Sequence, residues 1–195
     1  MEYIVYKTLR TTLKPLFLLL YRAEYIDLKN IPDSGPIILA GNHTKFMDAA
    51  IMIGGPKRVI HMMSKKELFK GKVKNRFFRS MACIPVDRSI HDENAKSEAI
   101  EVLKNGALLG IFPEGTVNKT KEKLLPFKYG AVSFAKKTGA LIVPFAITGK
   151  YKLFRRSIKI RYGKPYKVTG DLEIENKKLM NKVLTLMKES ETDEK

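Results

Sequence analysis

Two side chains five residues apart, His43 and Asp48, are the pair in this 195-residue sequence best suited to moving a proton. An imidazole accepts a proton near neutral pH, and a carboxylate on its other nitrogen fixes tautomer and orientation. On one continuous helix the two would point about 140° apart, because each residue turns roughly 100°. They meet only if His43 lies in a loop and Asp48 in the first turns of a helix, for which Thr44 is a suitable N-cap. No Ser or Cys stands in a recognisable nucleophile elbow, which leaves the hydroxyl to be activated to a substrate. Taken alone, the pair also fits a structural hydrogen bond.

Two further stretches carry chemistry-bearing residues. Phe112-Pro113-Glu114-Gly115-Thr116 combines an acid, a flexible glycine and a hydroxyl, a set that can bind a polyol or shape a phosphate pocket. A tight turn with an exposed acid is the plainer reading. Ile84-Pro85-Val86-Asp87-Arg88 ends on an arginine, whose rigid fork of donors suits phosphate oxygens; a surface ion pair is its alternative. His61 and His91 have no partner at a useful spacing and read as structural or surface residues. One cysteine, Cys83, and three scattered histidines give no zinc-binding set. Cys83 cannot form an internal disulfide, which favours a reducing compartment.

The elements that must position these residues alternate between short apolar runs and helical patterns. Strands are expected at Ile37–Ala40, Val59–Met63, Cys83–Val86, Ala107–Phe112 and Leu141–Thr148, with an alternating outer strand at Ser157–Tyr162. Helices are expected from Lys45 to Ile53, from Asp92 to Asn105 and from Gly130 to Thr138, the last stopped by Gly139. A closing helix is marked by Leu179, Val183, Leu186 and Met187. The pattern predicts one α/β domain over residues 27–195, a mixed β-sheet flanked by helices. All three stretches then fall at strand ends, where such domains place their sites.

Residues 1–26 form a short amphipathic helical segment. Val5, Leu9, Leu13, Leu16, Phe17 and Leu20 recur at helical spacing, with Lys7, Arg10 and Lys14 mostly elsewhere on the wheel. Pro15 predicts two short helical pieces, with the proline opening the second. Such a helix can pack on its own domain or lie in a membrane interface, and the dense apolar run favours the interfacial anchor. Between Lys14 and Arg22 only six apolar or aromatic residues follow Pro15, whereas a spanning helix needs roughly 20. No secretory signal pattern is present.

Charge points to the partner. Thirty-seven Lys and Arg stand against 20 Asp and Glu, a net charge of +17, which suits nucleic acid, an anionic membrane surface or a phosphorylated substrate. The excess is uneven: Lys57–Arg79 holds nine basic residues and one acid, and Lys150–Lys167 holds eight and none. The run Arg155, Arg156, Lys159 and Arg161 could add membrane attraction. No helix-turn-helix, zinc finger or aromatic RNA-binding signature appears, and an apolar N-terminal segment has no role in a nucleic-acid binder.

Taken together and in order, these blocks resemble the 1-acylglycerol-3-phosphate acyltransferase family, part of the wider glycerolipid acyltransferases. Asn42-His43 through Asp48 is similar to the family's NHxxxxD block and Ile84–Arg88 to its second block. Phe112–Thr116 matches its FPEGT block, and Ile142-Val143-Pro144 its hydrophobic-Pro block. The resemblance spans about Ile31 to Thr148. It implies that His43, oriented by Asp48, deprotonates the sn-2 hydroxyl of lysophosphatidic acid. The oxygen would then attack an acyl-carrier-protein or acyl-CoA thioester, giving phosphatidic acid without a cofactor or an acyl-enzyme. It further implies that Arg88, Glu114, Gly115 and Thr116 meet the substrate, and that the enzyme sits at the cytoplasmic face of the cell membrane. In one place the sequence departs from the family: Val117 stands where an arginine is common, leaving Arg88, helped by Lys66 or Lys119, to bind the phosphate. Another glycerophospholipid acceptor such as glycerol-3-phosphate, or anionic-lipid binding without catalysis, are the alternatives; the intact His43 and Asp48 oppose the latter.

Overall fold

The computed structural model describes residues 3–155 and 158–192, with backbone alone at 13, 14, 17 and 18. Its sheet comprises β1 (Glu24–Ile26), β2 (Ile37–Gly41), β3 (Ile60–Lys65), β4 (Cys83–Val86), β5 (Leu108–Ile111), β6 (Leu141–Gly149), β7 (Ile158–Tyr162) and β8 (Tyr166–Lys167). The spatial order is β1-β7-β6-β2-β5-β3-β4, with β8 also on β6. From β4 to β6 every neighbour is parallel, while β7 and β8 run antiparallel to β6. Parallel neighbours need long crossovers. These carry α2 (Asp48–Gly54), α3 (Lys72–Ser80), α4 (Glu93–Lys104) and α5 (Gly130–Thr138), with α1 (Ile4–Tyr21) and α6 (Leu172–Thr192) at the ends.

Helices cover both faces, which is why the central strands are apolar without alternation. In β2 all five residues are buried: Ile38 and Ala40 join the core under α4, α5 and α6, and Ile37 and Leu39 the core under α1 and α2. The expected single α/β domain with a mixed, helix-flanked sheet is the architecture found. The helix expected over Asp92–Asn105 spans Glu93–Lys104, with the Asp92 carboxylate accepting from the Ala95 N–H at 3.0 Å.

Several local expectations need correction. The two N-terminal pieces are one helix with Pro15 inside it. An internal proline costs about 3 kcal/mol, because its missing N–H orphans a carbonyl one turn back. Here that carbonyl belongs to Thr11, an exposed residue that solvent can satisfy. The helix is also tied down on both sides of the proline. Tyr6 is fully buried and accepts from the Ile60 N–H at 3.0 Å, Arg10 donates to the Lys57 carbonyl at 2.6 Å, and the Leu20 carbonyl accepts from Phe154 N–H. The side chains of Leu13, Lys14 and Phe17 lie outside the described residues.

The strand expected at Ser157–Tyr162 is not the sheet edge, because β1 adds outside β7; Ser157 itself lies outside the described residues. Nor do all the basic residues there face outward. Arg161 donates to Ser190 Oγ and approaches Asp27, and Lys159 reaches the Ser190 carbonyl, both turned onto α6; Arg156 is outside the described residues. No helix is expected over Lys72–Ser80, where α3 forms. None of its nine residues is fully buried and only Phe78 packs, half-buried, on the core, so there is no repeating core-facing stripe to read.

Candidate active site

Strand β2 delivers the first site residues to the carboxyl ends of the parallel strands, between β5 and β6. It can do so only with glycine at its end: a Cβ on Gly41 would lie 2.2 Å from the Phe145 carbonyl oxygen and 2.6 Å from its ring. Asn42, 1% exposed, continues the pairing past the strand. Its amide donates to the Ile147 carbonyl at 2.8 Å and accepts from the Ile147 N–H at 2.7 Å, mimicking a backbone rung. These bonds fix the chain direction at the next residue, His43.

His43 sits in the loop and Asp48 opens α2, the arrangement that helix geometry demands of a pair five residues apart. His43 Nδ1 lies 2.9 Å from Asp48 Oδ2. The capping, however, runs opposite to expectation. Thr44 does not cap the helix, which starts three residues later than predicted. Instead Asp48 reaches back and accepts from the Thr44 N–H at 2.5 Å and the Lys45 N–H at 2.8 Å. A carboxylate in the first turn suits both these N–H groups of the preceding loop and the positive end of the helix. Thr44 Oγ1 at 3.2 Å and the Tyr151 hydroxyl meet the other oxygen. Fully buried, Asp48 is tolerated because these donors replace water.

A second loop locks onto the first. The Glu114 carboxylate is 4% exposed and accepts from the His43 N–H at 2.7 Å and the Leu125 N–H at 2.8 Å. Burial pushes this carboxyl above its ordinary value, with the two N–H bonds pulling against it. Where the sequence reading assigns Glu114 to substrate, the structure thus occupies each oxygen with a backbone amide. Asn118 N–H donates to the His43 carbonyl at 2.8 Å. The Phe112 ring stacks on the imidazole, 4.0 Å between centroids at 12°.

Phe112 is also part of the wall of a cavity of about 640 Å³. Buried Ile111 and Phe134, with Ile100 and Met63, make its apolar surface, and exposed Arg88, Lys128 and Lys137 its basic one. The carboxylates on its wall have partners of their own: Asp87 with Lys66 and Ser89, Asp92 with backbone N–H groups, Glu93 with Lys96. The Lys66 ammonium and two bonds from Ser89 hold the Asp87 carboxyl down, to about 2. Of the residues expected at the site, Arg88 and Gly115 line this cavity, whereas His43, Asp48 and Glu114 are not in its wall and His43 meets it through the stacked Phe112 ring. Thr116 is exposed and Val117 half-buried in the following loop, and neither is part of the wall. Lys66 is also absent from the wall and engages Asp87. His91 does line it, largely exposed beside Glu93 and Lys96, whereas His61 is buried edge-on to Tyr3.

Sequence reasoning missed three contributors. Asn42 and Tyr151 act through partners more than 100 residues away. Lys128 crosses over Gly115, its Nζ 3.1 Å from where a Cβ would stand; Gly115 has φ +71°, a second reason for glycine there. The run Leu125-Pro126-Phe127-Lys128 offered one signal, an isolated cation following a buried aromatic.

Comparison with known proteins identifies the family. Residues 22–148 match the family described as Acyltransferase. A 1-acyl-sn-glycerol-3-phosphate acyltransferase of Bacillus subtilis is 32% identical over 166 residues, which is 83% of this chain and 82% of that protein. A protein of the same name from Borreliella burgdorferi is 32% identical over 69% of this chain and 54% of its own length. The crystal structure of the 1-acyl-sn-glycerophosphate (LPA) acyltransferase PlsC from Thermotoga maritima superposes with a TM-score of 0.73 at 28% identity, covering 92% of this chain and 76% of that one. With its fold, its ordered motifs and these relatives in agreement, the chain belongs to the acyltransferase family, among the 1-acyl-sn-glycerol-3-phosphate acyltransferases.

Proposed function

We propose that this protein transfers a fatty acyl group from an acyl-carrier-protein or CoA thioester to the sn-2 hydroxyl of lysophosphatidic acid, forming phosphatidic acid. The observation that carries this reading is the imidazole of His43, held through Nδ1 by a buried carboxylate and stacked on Phe112, which lines a cavity with an apolar interior and basic residues at its surface. Nε2 takes the proton as the acceptor oxygen attacks the thioester carbonyl. The C–S bond then breaks, and the leaving thiolate recovers the proton from the imidazolium. Holding two substrates beside a fixed base supplies much of the rate. The chemistry needs no cofactor beyond the donor.

Arg88 suits the acceptor phosphate, and Lys128 brings a second cation where the family's arginine is replaced by Val117. The test is acyl transfer from a palmitoyl thioester on anionic vesicles, with lysophosphatidic acid and glycerol-3-phosphate as rival acceptors. Lysophosphatidic acid should be preferred at least about tenfold in kcat/KM, the discrimination available from a well-matched apolar pocket. Equal or faster turnover of glycerol-3-phosphate would overturn the acceptor assignment.

The same reading places the enzyme on the cytoplasmic face of the membrane, held by anionic lipid. No helix among the described residues is long and apolar enough to cross a membrane. Helix α1 docks on the domain through Tyr6 while exposing Ile4, Leu16 and Leu19. Its neighbour α3 exposes Val73 (84%) and Phe77 (46%) among the cations Lys72, Lys74 and Arg76. Apolar side chains interleaved with cations suit an acyl and headgroup boundary. Replacing Val73 and Phe77 together with Asp should lower binding to phosphatidylglycerol vesicles on the order of tenfold. Val73 faces solvent and Phe77 is half exposed with its ring edge-on to Phe78, so the unfolding temperature should fall by no more than about 4 °C, the shift that about 1 kcal/mol gives. Undiminished vesicle binding would remove α3 from the interface.

A further inference from the structure

We infer that Tyr151 is a positioning residue for the proposed base, holding Asp48 in place, and that the C-terminal end of α1 holds Tyr151 in turn. The inference rests on the reading of His43 as the base. Asp48 Oδ2 is crowded, accepting from His43 and from the backbone N–H groups of Thr44 and Lys45. Oδ1 has the Tyr151 hydroxyl and one longer bond, from Thr44 Oγ1 at 3.2 Å. A carboxylate gripped on both oxygens cannot turn about its own axis, so the imidazole on Oδ2 keeps one orientation. Without the tyrosine hydroxyl, Oδ1 keeps only the longer threonine contact, and the plane of a fully buried carboxylate is held from the Oδ2 side alone. Burial, and the Asp48 charge beside it, push the Tyr151 phenol far above its ordinary value, so it remains a donor.

Tyr151 lies just beyond β6, in a segment that α1 holds at two points. The Tyr21 ring packs edge-on against the Tyr151 ring, 5.6 Å between centroids at 81°. Three residues further on, Phe154 N–H donates to the Leu20 carbonyl at 2.5 Å. The last turns of α1 also carry exposed Leu16 and Leu19, so the end that seats Tyr151 is itself offered to lipid. Tyr151 does not line the cavity. Its loss should therefore slow turnover without weakening either substrate.

The experiment measures kcat and both KM values on anionic vesicles for Tyr151→Phe, Tyr21→Leu, the double variant and His43→Ala. Tyr151→Phe keeps the ring and its packing. Its kcat should fall on the order of tenfold with both KM values within about twofold of wild type. Tyr21→Leu should lower kcat about threefold, and the double variant should be no slower than Tyr151→Phe, because the first ring acts through the second hydroxyl. An unchanged kcat in Tyr151→Phe, or a loss confined to KM, would overturn the positioning role. Fully multiplicative effects in the double variant would overturn the link to α1. An active His43→Ala would sink the base itself, whereas an inactive His43→Ala beside an unimpaired Tyr151→Phe would overturn this inference alone.

Discussion

His43→Ala should lower acyl transfer roughly 10²–10⁴-fold while leaving a folded protein, since that is what a positioned general base contributes. The expectation that the fold survives is structural. Removing the imidazole takes one donor from Asp48, but Thr44 N–H, Lys45 N–H, Thr44 Oγ1 and Tyr151 remain on that carboxylate. The backbone of residue 43 keeps its bonds to Glu114 and Asn118, neither of which uses the side chain. What is lost in packing is one face-to-face contact with Phe112, worth about 1 kcal/mol. Turnover and unfolding temperature should therefore separate cleanly. A folded His43→Ala enzyme that still turns over would mean that the substrate hydroxyl is activated elsewhere.

The largest effect on stability is expected at Gly41→Ala. The added methyl would stand 2.2 Å from the Phe145 carbonyl oxygen and 2.6 and 2.7 Å from two ring carbons. A flexible side chain could move aside; a backbone carbonyl cannot, because Gly41 and Phe145 are register partners in the parallel β2–β6 ladder. Overpacking against backbone should cost at least about 3 kcal/mol, which for a chain of this size lowers the melting temperature by roughly 6–12 °C. Activity should fall with it, since Asn42 and His43 follow directly. Gly139→Ala is the contrasting control. It caps α5 at φ +74° with nothing within 4 Å of an added Cβ, so only the backbone strain of about 1 kcal/mol should be felt. Equal losses at the two positions would show that conformational freedom, not the close approach of β6, explains Gly41.

Much of the fold was legible because its signals are local. Unbroken apolar runs such as Ile37–Ala40 report strands buried on both faces, and the Ala95, Ala99 and Leu103 stripe reports the buried face of α4. Where those signals were missing or mixed, the reading failed. The helix α3 has no fully buried residue, and only half-buried Phe78 packs on the core. Pro15 reads as a break, yet contacts on both sides carry α1 through it. A packed helix and an interfacial anchor are not alternatives for α1, which buries Tyr6 on one side and exposes Leu16 and Leu19 on another.

At the candidate site the same division holds. Residue types and spacing by themselves determined that His43 must stand in a loop and Asp48 at a helix start, because a shared helix would turn them apart. Order and chemistry of the motifs determined the family. Only the tertiary structure decided what grips those residues: Ile147 on Asn42, Tyr151 on Asp48, Glu114 on the His43 backbone, Lys128 across Gly115. Periodicity tells a chain which of its faces is apolar, but not which distant residue will arrive beside it. That depends on strand order and register, which bring β6 and the loop after β5 against the end of β2.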